Sequence, residues 1–314
     1  MKHKMTHLSN NARRYLAIVG ALVLCVFCSQ GLAQTEGQTT FASAQKAVDA
    51  LISAVRDRDD AKLQAILGAG TEGIISSGDD VADKAAGQKF VASYAVKHAL
   101  VKSGVDELTL LTGKDDWPLP IPLVRAQGKW YFDGAAGKEE ILYRRIGHNE
   151  LDALKACKGV VAAQKDYATE GHDGEPPGSY APRLLSEAGK RNGLYWEVQE
   201  GEEPSPAGPF LARASAEGYD TSGQKTPYHG YYYRMMKAQG SSAAGGAKSY
   251  IVNGRMTEGF ALLAYPADYR SSGVMTFIVN QDGKIYQKDL GEKTEELASQ
   301  ISEYNPDKTW QLVK

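Results

Sequence analysis

The sequence predicts an α+β chain, with N-terminal helices on a curved antiparallel sheet, then a long helix packed on a C-terminal antiparallel meander. Three observations carry that expectation. Apolar residues recur at helical spacing from about residue 44 to about residue 98. The period then shortens to strand-like alternation up to Asp133. After one more long helical stretch, four alternating segments fill the last hundred residues. At 314 residues the chain suits two folded parts better than one small core. Gly147 is the expected boundary, giving parts 34–147 and 148–314 behind a leader at 1–33.

Ser43 reads as the N-cap of the first helix, whose Ala44, Ala47, Val48, Leu51, Ile52 and Val55 share a face. A short second helix carries Leu63, Ile66 and Leu67 and stops at Gly68. "SSGDD" supplies a turn and a new cap, and a third helix is expected through about residue 98, with Phe90, Val91 and Tyr94 inward. "VDELTLLTG" is strand-like, and "PIPLVRAQGKWYFD" reads as a hairpin turning at "AQGK". Pro118, Pro120 and Pro122 confine the start of their strand to an edge, because proline cannot donate to a ladder.

The longest helical stretch follows, with Leu151, Leu154, Cys157, Val160, Val161 and Tyr167 as its stripe and a break expected at Gly147. Residues 170–227, rich in Gly, Pro and acidic side chains, read as long ordered loops. "YHGYYYRMM", "EGFALLAYP", "GVMTFIVN" and "KIYQKDL" are the four strands. The last two are joined at "NQDG" by an Asp282-Gly283 hairpin signal. Thr294–Ser302 is a short closing helix.

The N-terminus has the grammar of a secretory signal. Lys2, Lys4, Arg13 and Arg14 precede the apolar run "YLAIVGALVLCVFC", and Gly31 and Ala33 are the small residues of a cleavage site. The run is shorter than the roughly 20 residues a membrane span requires. Cleavage after Ala33 therefore predicts a periplasmic or secreted chain with no transmembrane span. It also removes Cys25 and Cys28 and leaves Cys157, so neither an internal disulfide nor a cysteine metal site is expected. The remaining chain has 32 basic against 38 acidic residues, a net charge of −6 with histidine neutral. That balance argues against nucleic acid as a partner.

No catalytic, cofactor or metal motif emerges. His98, His148, His172 and His229 form neither H-x-x-x-H nor H-E-x-x-H pairs. "HDGEPPG" lacks the spaced oxygens of a calcium loop, and "SSAAGGAK" lacks the ending of a phosphate loop. Asp116, Asp133 and His98 are the titratable candidates for a pocket in the first part, with turn capping the simpler role for both aspartates. The richest segment is Tyr228–Arg234, holding four tyrosines, a histidine and an arginine. Read as a strand, it sends His229, Tyr231, Tyr233 and Met235 to one face. Tyr228, Tyr232, Arg234 and Met236 go to the other. Tyr228, Tyr232, Arg234 and Trp196 are the candidate contact surface.

The segments "DDWPLPIPLV", "GKWYFDGAAGKEEILYRRIGHNEL", "GKRNGLYW", "TPYHGYYYRMMKAQG", "GFALLAYPADY" and "GVMTFIVNQDGKIYQKDLG" resemble a bacterial exported family known as domain of unknown function family 2950. The resemblance covers about Phe41 to Trp310. It implies export and a two-part chain and supplies no activity. The first part is also similar to the cystatin-like cone of nuclear transport factor 2-like proteins. The second resembles the globular domains of pseudopilins and type IV pilins. Glu150, Lys155, Lys158, Lys165 and Asp166 depart from the apolar pilin helix and argue against filament assembly. The expected function is a non-catalytic binding or envelope-assembly module whose partner is an envelope protein or cell-wall component. The alternative is a small-molecule enzyme or carrier using the N-terminal cone.

Overall fold

The structure is a computed structural model that describes residues 37–199, 201–219 and 226–314. The expected leader and cleavage site lie outside the described residues. Helix α1 (Ala44–Asp57) begins where Ser43 accepts a hydrogen bond from the Lys46 amide, and it buries Ala47, Val48, Leu51 and Ile52. Burying each of the larger side chains contributes about 1.5–3 kcal/mol. Helix α2 (Asp60–Leu67) is capped by Asp59 and stops at Gly68, where φ is 93°. A single turn, α3 (Glu72–Ile75), leads to α4 (Asp80–Val96), capped by Asp79.

The third expected helix ends two residues early, and the chain turns at once into a strand. Strands β1 (His98–Lys102), β2 (Glu107–Thr112), β3 (Trp117–Pro118), β4 (Leu123–Ala126) and β5 (Lys129–Phe132) form an antiparallel sheet in the order β1-β2-β4-β5, with β3 also on β2. Strand β1 went unread because "HALVK" is too short to distinguish helix from strand by its own pattern. Pairing of Leu100 with Leu110 decides it. The β4–β5 hairpin turns at Gln127 and Gly128, both at positive φ, as "AQGK" predicts. Leu110, Ile121, Leu123 and Phe132 meet α1 and α2 in one apolar cluster.

Helix α5 (Gly134–Tyr167) is continuous for 34 residues and does not break at Gly147. An interior glycine costs a helix only about 1 kcal/mol. Packing at both ends of α5 outweighs that cost. Asp133 caps its start, and Gly137 lies so close to the chain that a Cβ there would stand 2.7 Å from Ile121 Cα. Its second half buries Ala153, Cys157, Val160, Val161 and Tyr167. Leu151, expected on this stripe, is 60% exposed instead.

The long loops after α5 contain one helix that the sequence reading missed, α6 (Gly208–Glu217). Strand β6 (Tyr231–Met236) follows, then two short pairs: β7 (Ala238–Gln239) with β8 (Lys248–Ser249), and β9 (Ile251–Val252) with β10 (Arg255–Met256). Strands β11 (Ala261–Pro266), β12 (Met275–Asn280) and β13 (Ile285–Asp289), helix α7 (Thr294–Gln300) and β14 (Gln311–Leu312) complete the chain. The antiparallel order is β14-β13-β12-β11-β6. Every residue of β11 is buried, because α5 and α7 both pack on it. Gly283, at φ 73°, closes the β12–β13 hairpin. Residues 37–314 form one compact unit with two separate apolar clusters, one spanning residues 44–132 and the other 153–304. Among the described residues, no helix is long and apolar enough to cross a membrane.

Candidate functional site

Between the two clusters lies a polar seam, and its most chemically loaded point is His229. Tyr228 and His229 do not continue β6. The Tyr228 and Tyr231 backbones exchange hydrogen bonds of 2.8 and 3.2 Å around a tight turn, with φ 49° at His229 and 73° at Gly230. Positive φ at both central residues is the signature of a primed hairpin turn, which glycine suits and histidine tolerates. A Cβ at Gly230 would stand 2.5 Å from Asn149 Nδ2 and 2.9 Å from Ser272 Cβ. The alternation expected of His229 and Tyr228 therefore begins only at Tyr231.

The turn aims the imidazole between two carboxylates. His229 Nε2 lies 3.1 Å from Glu217 Oε2, and Nδ1 lies 3.8 Å from Asp152 Oδ2. Glu217 is delivered by the last turn of α6, which ends at Gly218 in the left-handed region. Asp152 comes from α5, where His148, one turn earlier, approaches the same oxygen at 3.2 Å and Lys155 pairs with the other at 2.7 Å. Three phenyl rings wall the recess: Tyr228 lies edge-on to His229 at 4.2 Å, with Tyr219 and Phe210 each 4.9 Å from Tyr228. Burial, and then the Glu217 carboxylate, pushes the Tyr228 phenol up to about 12.

Behind the recess stands Asp79, only 2% exposed. One of its oxygens caps α4; the other accepts the Tyr219 hydroxyl at 3.0 Å and the Gly230 amide at 2.8 Å. Tyr219 in turn accepts the His229 amide at 3.2 Å. Burial and the Asp79 charge push the Tyr219 phenol far above its ordinary value. Nearby, Arg145 donates to Gly73 O and Ile74 O, and Ser271 donates to Gly73 O. Burial lowers the Arg145 guanidinium, opposed by Asp83 and Asp268.

The recess offers acid, imidazole and phenol groups, which can donate and accept hydrogen bonds. Cys157, the free cysteine of the described residues, is buried, and its thiol is pushed up to about 12, a poor nucleophile. Among the described residues, no group of three or more His, Cys, Asp or Glu side chains is arranged to hold a metal ion.

Of the four candidate contact residues, only Tyr228 is placed here. Tyr232 packs on Tyr265, its partner across β11, at 5.5 Å. Arg234 turns inward and donates to Ala298 O and Ile301 O at 2.7 Å each, closing the end of α7. Trp196 has the Arg191 guanidinium 5.5 Å from its ring centre, with the rings of His172 and Tyr167 beside it. Asp133 caps α5, Asp116 pairs with Lys97 at 2.7 Å, and His98 stacks on Tyr94 at 3.8 Å. Sequence reasoning missed Asp152, Glu217 and Tyr219, which no local motif ties to His229. Asp79 was legible as a cap but not as a bridge.

Neither a curated protein nor a solved structure matches the chain. A family model described as "Protein of unknown function (DUF2950)" matches residues 38–313, from just before α1 to just beyond β14. The chain belongs to the DUF2950 family.

Proposed function

We propose that the protein is exported, loses residues 1–33, and acts in the periplasm as a non-catalytic binding or envelope-assembly module in two parts, 34–147 and 148–314. The basic, apolar and small-residue order of the leader supports export. The two separate apolar clusters support the division. The long helix against an antiparallel sheet motivates the pilin-like reading of the second part, and the helices on the first sheet motivate the cone-like reading.

One observation carries the binding assignment: the ring nitrogens of His229 face Glu217 and Asp152 in a recess walled by Tyr228 and Tyr219. An aromatic cluster of carboxylates and imidazoles, with Asp152 already paired to Lys155, fits a hydrogen-bonding group on an envelope protein or cell-wall component. Arg234 and Tyr232 support the sheet rather than the contact, which moves the proposed surface from the β6 strand to the turn before it.

Export is tested by fractionating cells and sequencing the mature N-terminus, which is expected to begin at Gln34. Retention of the leader in a membrane fraction would overturn it. Binding is tested by capture from crosslinked envelopes with the wild type and with Glu217→Gln/Tyr228→Ala. A defined partner held by the wild type and lost in a folded variant supports the reading. Equal capture by both removes the recess from it.

A further inference from the structure

We propose that the seam between the two apolar clusters is a hinge, pivoting at Gly147 and latched by Asp79, and that its opening releases the His229 turn. The inference goes beyond the binding assignment and holds whatever the recess accepts.

The contacts of α5 divide sharply along its length. Gly134 lies against Leu67, Gly137 against Ile121, and Ile141 packs on the first cluster. Arg145 completes that set by donating to Gly73 O and Ile74 O. From Asn149 onward the partners change. Asn149 Nδ2 donates to Ser272 O, and Glu150 Oε1 accepts the Val274 and Met275 amides at 3.0 Å each. Ala153, Cys157 and Val160 then enter the second cluster. Only Ile146, Gly147 and His148 separate the two sets. A Cβ at Gly147 would have nothing within 4 Å, and His148 is exposed. Glycine in a helix interior, with no side chain bracing either neighbour, is where bending meets least resistance.

Away from α5 the seam is closed by polar contacts. The Asp79 carboxylate takes the Tyr219 hydroxyl and the Gly230 amide, and Ser271 Oγ reaches Gly73 O at 3.3 Å. Among the described residues, no buried residue of the first cluster belongs to the second. Polar seams of this kind separate at a smaller cost than apolar cores, because water replaces the bonds that open. Asp79 is the strongest of these ties, being a buried charge with donors on both sides of the seam. Breaking it frees Gly230 and the Tyr219 hydroxyl together, and these two hold the His229 turn in place.

The test uses the mature chain, residues 34–314. In the wild type, native-state hydrogen exchange is read at the Gly230 amide and at Leu262 and Leu263 in β11. A latch that opens by itself makes Gly230 exchange roughly tenfold or more faster than β11. Equal protection, with exchange through global unfolding alone, would overturn the hinge.

A second measurement uses spin labels at the exposed positions Lys114→Cys and Lys284→Cys. The latch is removed by Asp79→Ser with Tyr219→Phe, which keeps a capping oxygen for α4. A broader distance distribution, narrowed again by Gly147→Ala, is expected. An unchanged distribution in that variant, with cooperative unfolding retained, would also overturn the proposal. If the variant fails to fold, the wild-type exchange experiment decides alone.

Discussion

Asp79 and Tyr219 stand 140 positions apart in the chain and meet at 3.0 Å, carboxylate to phenol, inside the seam. The same carboxylate oxygen receives the Gly230 amide at 2.8 Å. A helix cap in one half of the molecule thus fixes the turn that presents His229 in the other. Asp79→Ala removes both bonds, strands the buried Gly230 amide and uncaps α4. Loss of a charged hydrogen-bond acceptor with its donors left behind predicts destabilisation of about 3 kcal/mol. Urea unfolding of residues 34–314 measures it; a change under about 0.5 kcal/mol, the size of a surface substitution, would show the bridge to be incidental.

Two glycines predict opposite outcomes. Gly230→Ala must place a methyl 2.5 Å from Asn149 Nδ2 at a φ of 73°, so it should lose more than about 3 kcal/mol or fail to fold. Gly147→Ala meets nothing within 4 Å in a helix interior and should gain about 0.5–1 kcal/mol. Thermal unfolding of the pair reads both signs in one experiment.

Arg234 tests whether β6 is a contact strand or a structural one. Its two 2.7 Å bonds end α7 at Ala298 and Ile301. Arg234→Ala should therefore cost about 2 kcal/mol in urea unfolding while leaving partner capture intact at temperatures where it remains folded. Lost capture at full stability would return Arg234 to the contact surface.

Cys157 should be chemically silent. It is fully buried between Leu154 and Val161 on α5, with its thiol pushed up to about 12 by desolvation. Ellman's reagent at pH 8 should label residues 34–314 only after denaturant is added. Rapid labelling of the native state would mean that α5 leaves the second core.

Glu187 should titrate far from its ordinary value. Hydrogen bonds from Lys190, Asn192 and Arg183 lower its carboxyl from 4.5 to about 2. A carboxyl depressed by folding adds stability above its unfolded pKa and loses it as pH falls through the folded one. That window is about 4.5 down to about 2, and because the group is exposed the effect on stability is small. Carbon-detected NMR titration should place its midpoint near 2, and a midpoint near 4.5 would contradict the three-donor arrangement.

Much of the fold was legible because short-range chemistry specified it. Ser43 announces α1, Gly68 ends α2, Asp133 caps α5 and Gly283 closes the last hairpin, each by a rule that spans a few residues. The site was not legible in the same way. His229-Gly230 is a turn signal hidden inside a run of strand-forming tyrosines, and the strand reading absorbed it. Glu217 lies on a helix buried in a Gly- and Pro-rich stretch, and Asp152 faces His229 across 77 positions of sequence that no local rule connects. Leu151 failed for a related reason: helical spacing identifies a stripe, while the neighbouring sheet chooses which side of that stripe is covered.

In the proposed function the recess around His229 is a contact surface in the envelope. Site-specific photo-crosslinking in living cells tests it most directly, with the photoreactive residue at exposed His148 and, as a control, at exposed Lys114. A discrete adduct is expected from His148 that Glu217→Gln/Tyr228→Ala weakens, with none of that mass from Lys114. No adduct from His148, or the same adduct from both positions, would contradict it.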